Sequence, residues 1–177
     1  MALRQSYDQD VEQVSILTFQ IGWEQFVIDL LDVKEIIQAG QIRKLPKSLD
    51  FIDGIYNYRG EIIHIINLKK KLNLDQYMLY ESKHSSFDDT LSSKTFIIII
   101  KLDTDLIGFY VDQIVSIDHI LPKEIIGLSP IFQTSIAIDF IRGIINFKDR
   151  PRVVLDLTKI FSEVEKFRIK QDLSSLT

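Results

Sequence analysis

The chain has no cysteine among its 177 residues, which excludes a disulfide scaffold, a thiolate metal site and a thiol nucleophile. Its seven glycines form no Gly-rich cluster, and no P-loop, GxGxxG or GxSxG pattern occurs. The three histidines, His64, His84 and His119, are too widely spaced for an HxxxH or HExxH metal pair. Long apolar runs are missing as well. No stretch approaches a membrane span, and the polar start MALRQSYDQDVEQ lacks the apolar core of a signal peptide. Nor is there an excess of positive charge, since 21 Lys and Arg face 25 Asp and Glu for a net charge of -4. A β-barrel that binds single-stranded nucleic acid needs a basic groove interleaved with exposed aromatics, and this balance argues against one. Together these absences predict a cytoplasmic protein without direct membrane insertion, nucleic acid, catalytic residues, cofactor or metal. The remaining candidates for chemistry have plainer readings. Asp88 and Asp89 lie in a Ser-rich stretch that reads as a solvated turn, and Lys69 to Lys71 as the exposed end of a short helix.

What is present is isoleucine in β-like patterns, most plainly FIIII from Phe96 to Ile100. The fold class predicted is mainly β, with short helices. VSILTFQIGWEQFVIDLLDVKEII, residues 14–37, reads as two strands joined at Gly22, and GIYNYRGEIIHIINL as a hairpin turning at Arg59-Gly60. Ser48 is placed to cap a helical turn before Phe51, and LKKKLNL reads as a short helix or turn. Residues 75–94 are rich in Ser and Asp without a clean period and read as a long loop between halves. In the C-terminal stretch LTKIFSEVEKFRIKQDL, Ile160, Val164 and Phe167 share a helical face predicted to pack on the β structure, with Lys159 and Glu163 paired four apart. Trp23 fits either a partner anchor or a lid over the end of a barrel.

The chain also repeats itself. FIDGIYNYRG (51–60) recurs as FIRGIINFKD (140–149), with Phe51/Phe140, Ile52/Ile141, Gly54/Gly143, Ile55/Ile144, Asn57/Asn146 and Leu68/Leu157 identical at one offset. Arg59 matches Lys148, and Gly60 matches Asp149, a residue that tolerates positive φ. A weaker alignment lays FVIDLLDVKEI on IGFYVDQIVSI. Two β subdomains of like topology account for both. Pro151, where the first copy has Ile62, would remove a ladder donor and predicts a more open edge there.

These motifs resemble the CheW family of chemotaxis coupling proteins. Val33-Lys34-Glu35-Ile36 is similar to the family's V-x-E-I signature, and FIDGIYNYRGEIIHIINL to its F-I-x-G-v-x-N-L-R-G segment with the following strand. LIGFYVDQIVSI and FIRGIINFKDRPRVVLDLTKIF extend the resemblance over residues 15–161. Tyr58 stands where the family usually has Leu, His64 where Pro is usual, and Asn67 where Asp is usual.

The resemblance implies two SH3-like five-stranded β-barrel subdomains sharing a hydrophobic interface, in a single domain over 14–161. Subdomain one covers about 14–74 and subdomain two about 95–157, after a flexible N-terminus (1–13) and before a C-terminal helix and tail (158–177). It implies a non-enzymatic adaptor that couples chemoreceptor cytoplasmic tips to the regulatory domain of a CheA-type histidine kinase, at membrane arrays reached through those partners. A related pilus or gliding pathway is the alternative output. Arg59 matches the arginine implicated in coupling, although a hairpin-tip arginine can also be simply solvated, worth less than about 1 kcal/mol in a surface pair. Val33, Glu35 and Ile36 are expected to border the receptor-binding groove, with Val33 equally suited to the core. Leu106 and Val111, with Gly108 between them, are expected to face that groove. Gly54, Asn57 and Gly60 are expected to shape the hairpin.

Overall fold

The isoleucine run is buried on both faces: Ile97, Ile98, Ile99 and Ile100 are each 0% exposed. Alternate residues of a strand point to opposite sides, so a sheet carrying four consecutive buried isoleucines is covered on both. The protein, seen in a computed structural model that describes residues 12–46, 48–74, 95–128 and 139–175, supplies two such covers. Its strands are β1 (Val14–Ile21), β2 (Glu24–Asp29), β3 (Val33–Gln38), β4 (Ile52–Tyr58), β5 (Glu61–Asn67), β6 (Phe96–Leu102), β7 (Asp105–Val111), β8 (Gln113–Ile120), β9 (Ile125–Ile126), β10 (Ile141–Asn146) and β11 (Pro151–Leu155). Helix α1 spans Leu68–Lys71 and helix α2 Glu163–Ser174. The first 13 residues, apart from Glu12 and Gln13, and residues 75–94, expected to form a loop, lie outside the described residues.

Two mixed sheets result. Sheet 1 runs β8-β1-β2-β11-β10-β9 and sheet 2 runs β3-β6-β7-β5-β4. The sheets do not follow the two contiguous halves expected at 14–74 and 95–157. Sheet 1 joins β1 and β2 from the first half to β8 through β11 from the second, and sheet 2 joins β6 and β7 to β3 through β5. Each sheet contains one parallel pairing, β2 with β11 and β5 with β7. The chain therefore changes sheet between β2 and β3, at a 3-10 turn over Leu30–Asp32 capped by the Asp29 side chain, and again between β7 and β8 at Asp112. The span read as one strand after Gly22 is thus two strands on different sheets. Gly22 itself turns as expected, at φ 60°.

Side-chain alternation then sorts three cores. Leu17, Phe19, Ile98, Ile100, Ile107 and Phe109 fill the seam between the sheets. Ile63, Ile65, Ile97 and Ile99 lie on the far side of sheet 2, and Ile16, Val27 and Val154 on the far side of sheet 1. Each such side chain contributes roughly 1.5–3 kcal/mol on burial.

Several local expectations are corrected. Ser48 caps no helix; its hydroxyl donates to the Leu45 carbonyl within an irregular turn. Pro151 opens no edge, because β11 lies inside sheet 1 and Pro151 is its first residue, ahead of the parallel pairing that begins at Val153. Asp149 does not take positive φ; it accepts from Arg152 at 2.9 Å across a longer turn. Trp23 is half-buried against the seam, and Arg150 donates to its carbonyl at 3.0 Å.

The C-terminal helix forms but turns a different face inward. Ser162 and Glu165 make a reciprocal capping box, which starts α2 at Glu163. Lys159 therefore lies ahead of the helix, within 3.9 Å of Asp156 and not on Glu163. With that start Ile169 is buried at 2% exposure, while Val164 and Phe167 are exposed at 70% and 62%. Lys71 fastens the helix to α1. Its ammonium reaches Glu165 at 2.7 Å and lies over the Phe51 and Phe161 rings. Burial alone would raise the Glu165 carboxyl, but hydrogen bonds from Lys71 and Ser162 outweigh it and hold its pKa low. Lys170 adds a contact to Asp103 at 3.6 Å. Ile169→Ala should cost about 2–4 kcal/mol and Phe167→Ala less than about 0.5 kcal/mol in urea unfolding; equal losses would contradict this orientation.

His64, on the seam side of sheet 2, is 0% exposed, and neither ring nitrogen has a hydrogen-bond partner among the described residues. Burial pushes its pKa below 6.5, against the pull of Asp172 on α2 and Asp105 on β7. The folded state thus binds the proton less readily than the unfolded chain. Its stability is complete above the unfolded value and falls as pH drops from there toward the folded one. Urea midpoints should fall between about pH 7.5 and about pH 5.5, and the fall should shrink in His64→Leu. An identical fall in that variant would assign the acid sensitivity elsewhere.

Candidate functional site

At the tip of the β4–β5 hairpin Tyr58 pairs with Glu61, leaving a two-residue turn of Arg59 at φ 52° and Gly60 at φ 88°. Two consecutive positive φ values match the primed turn whose twist suits a hairpin. Gly60 adopts this without strain, whereas Arg59 must hold a left-handed conformation that few side chains favour. Asn57 supports the turn, its Oδ1 accepting from the Gly60 amide at 2.9 Å. Gly54 has a different job from the one expected. It sits at a register shift in β4 with φ 154°, and a Cβ there would lie 2.2 Å from the Arg43 carbonyl oxygen. Arg43 bridges Ile55 at this point, so the missing side chain lets a second backbone cross. Gly143 repeats the device, its Cβ position 2.5 Å from the Ile126 carbonyl oxygen.

Strand β3 delivers the acid. Val33 pairs with Ile100, but Glu35 pairs with Ile99, so Lys34 is an extra residue in the ladder. A one-residue bulge reverses the face of everything beyond it. Val33 and Ile36 consequently face the seam, both half-buried, while Glu35 is brought to the far side of sheet 2 beside Tyr58. There the Arg59 Nη2 donates to Glu35, 3.0 Å from Oε1 and 2.9 Å from Oε2. The Tyr58 hydroxyl donates to the same Oε2, and the guanidinium carbon lies 5.2 Å from the centre of the Tyr58 ring. That hydrogen bond, together with partial desolvation, raises the Tyr58 pKa above its ordinary 10.0. The ring is buried with Ile63, Ile65 and Leu106, leaving its hydroxyl at the surface of that core. Arg59 remains 72% exposed. A groove of about 440 Å³ flanks the hairpin, lined by Gln41, Ile42, Arg43, Ile55, Tyr56, Asn57 and the exposed Ile62.

Of the residues singled out by sequence, the fold brings Glu35, Asn57, Arg59 and Gly60 into one cluster and leaves Val33 and Ile36 on the adjoining seam. Leu106 and Val111 are corrected. They are 7% and 1% exposed, Leu106 inside the far core of sheet 2 and Val111 inside the seam, because β7 is an interior strand. Neither presents a surface to a partner. Sequence reading missed the structural part of Tyr58, although its replacement of the family's usual Leu beside Arg59 was the available signal. Asn67, the other polar departure, caps α1 by accepting from the Lys70 amide at 3.1 Å, as the usual Asp could.

A family model described as the CheW-like domain matches residues 15–165. The chain belongs to this family. It is 32% identical over 154 residues to the chemotaxis protein CheW of Treponema pallidum, covering 87% of this chain and 85% of that protein. The CheW protein of Thermotoga maritima is 26% identical over 157 residues, 87% of this chain and 91% of its own. The crystal structure of the scaffolding protein TtCheW from Thermoanaerobacter tengcongensis superposes with a TM-score of 0.68 at 27% identity, over 87% of this chain and 96% of that one. The sheets described above are thus those of a CheW-like domain, and the chain is a non-enzymatic scaffold or adaptor of chemotaxis-type signalling. No helix among the described residues is long and apolar enough to cross a membrane.

Gly54→Ala should lower stability by about 1–3 kcal/mol, while Gly40→Ala, which would meet only the flexible Tyr56 side chain at 3.2 Å, should cost clearly less. Equal unfolding midpoints for the two variants would show that the Arg43 crossing does not depend on the glycine.

Proposed function

We propose that this CheW-like chain couples chemoreceptor cytoplasmic tips to a CheA-type histidine kinase, with the Arg59 hairpin as its contact to the kinase's regulatory domain. Each sheet, in this reading, curls into an SH3-like barrel, and the pair is held at membrane receptor arrays through its partners. The observation that carries the proposal is an exposed guanidinium on a two-residue turn. A planar cation fixed at a rigid tip suits bidentate recognition of a carboxylate, which a mobile surface arginine serves poorly. Ile62 and the groove beside the hairpin supply apolar area around that charge, in the arrangement of a central contact with a water-excluding rim.

The receptor tip is assigned to the seam bordered by Val33 and Ile36. Leu31, 89% exposed in the turn between β2 and β3, and Val115 and Ile117, 39% and 53% exposed on the edge strand β8, add apolar surface for a helical hairpin. Signal would then pass through contacts, apolar surface supplying affinity and charge supplying register.

Arg59→Glu should abolish receptor control of kinase autophosphorylation while leaving the far-ultraviolet dichroism and the cooperativity of melting unchanged. Normal control in a reconstituted receptor, adaptor and kinase assembly containing this variant would refute the assignment of Arg59.

A further inference from the structure

We propose that Tyr58 is a positioning residue for the partner contact, clamping Glu35 so that the unused N–H donors of Arg59 are presented to a partner carboxylate; this rests on the reading of Arg59 given above. Glu35 spends both oxygens on a single nitrogen of the guanidinium, Nη2. A guanidinium has five N–H donors in a plane, and this pairing leaves Nε and Nη1 without a hydrogen-bond partner among the described residues, so that donors remain on either side of Nη2. The Tyr58 hydroxyl holds Glu35 Oε2, and the Tyr58 ring lies beneath the guanidinium. Three restraints therefore act on one cation: a carboxylate on one side, a ring below, and a turn that sets the direction of its Cα–Cβ bond. Because Tyr58 is buried up to its hydroxyl among Ile63, Ile65 and Leu106, the clamp is anchored in the core of sheet 2.

The internal repeat supplies a control within the same molecule. Position for position, Tyr58, Arg59 and Glu35 correspond in the second copy to Phe147, Lys148 and Ser116. The bulge is shared: Thr18 pairs with Ser116 and Phe19 with Ile114, so Val115 is the extra residue where the first copy has Lys34. The bulge thus falls just before position 35 in one copy and position 116 in the other, yet only the first copy carries hydroxyl, guanidinium and carboxylate together. In the second, Ser116 donates to Asp118 at 2.6 Å and the Phe147 ring is covered by Arg152 at 4.1 Å. A hairpin forms at the matching place in the second copy without the clamp, across a longer turn, so the clamp is not required for a hairpin there. The carboxylate, the guanidinium and the phenol are absent as a set, which is the pattern expected of groups that act as a unit.

Glu35 also explains why the phenol is needed. When Arg59 engages an outside carboxylate, its charge is shared between two acids, and Glu35 is then less well compensated. A second donor on Oε2 keeps that oxygen satisfied while Arg59 is shared.

The test compares the wild type with Tyr58→Phe, Glu35→Gln, Arg59→Lys and Arg59→Glu. It measures the Kd for the regulatory domain of the histidine kinase from the same organism by calorimetry, and the Arg59 side-chain resonances by ¹⁵N NMR. Tyr58→Phe, which removes only the hydroxyl, should weaken binding about five- to tenfold and broaden the Arg59 guanidinium signals, with melting unchanged. Glu35→Gln, which leaves the buried ring untouched, should weaken binding to a similar degree. Arg59→Lys should bind as poorly as Arg59→Glu within about threefold, because a planar array of donors and not the charge alone is what docks. Wild-type affinity and sharp Arg59 signals in Tyr58→Phe, alongside lost binding in Arg59→Glu, would overturn the role of Tyr58 and leave the Arg59 contact standing. Wild-type affinity in Arg59→Glu would overturn the contact itself.

Discussion

Burial on both faces of the central strands is the constraint from which the rest of this structure follows. A strand such as β6, with Ile97 and Ile99 on one side and Ile98 and Ile100 on the other, cannot face water on either side without exposing apolar surface worth roughly 25 cal/mol per Å². One side packs with Ile63, Ile65 and Tyr58 of its own sheet and with Ile42, and the other side against the second sheet. The seam meets the second demand for both sheets at once, with Leu17, Phe19 and Phe26 from sheet 1 against Ile98, Ile100 and Phe109 from sheet 2. The chain also ties the sheets together, since it passes from sheet 1 to sheet 2 between β2 and β3 and returns between β7 and β8. Separating the sheets would expose the seam while the chain still tethered one sheet to the other at these crossings.

The candidate contact lies where that burial ends. β3 is an edge strand and the β4–β5 turn projects beyond the sheet, so polar groups can stand there while remaining tied to the core through Tyr58. The rigidity of the site is borrowed from the packed sheet beneath it, and the ion pair itself contributes little stability because Arg59 is mostly solvated. A site of this kind can change residue without endangering the fold. The second copy illustrates it, having lost the carboxylate and the phenol while keeping the bulge, the crossing glycine and the hairpin.

Much of this was legible in the residues. The Arg59-Gly60 hairpin declared itself because β-rich arms flanked a residue suited to positive φ, and the repeat declared two similar sheets. Other features could not be read, for identifiable reasons. The inward face of α2 depends on where the helix begins, and Ser162 with Glu165 sets that start; apolar periodicity counted from Ile160 pointed to Val164 and Phe167 instead of Ile169. Leu106 and Val111 resembled groove residues, but an interior strand and an edge strand of the same composition look alike until pairing is known. Gly54 looked like a turn residue because the backbone that crosses it, at Arg43, is separated from it by a stretch with no regular pattern.

Period and composition alone determined that this chain is mainly β, that it holds two related units, and that its exposed arginine stands on a tight turn, because local propensity and side-chain alternation act over a few residues. Which strands belong to which sheet was decided only in three dimensions. Pairing partners for β3 and β8 are chosen by the burial of distant isoleucines, and no local signal encodes that choice. The face presented by Glu35 was decided there too, since the single extra residue at Lys34 has meaning only against the register of β6.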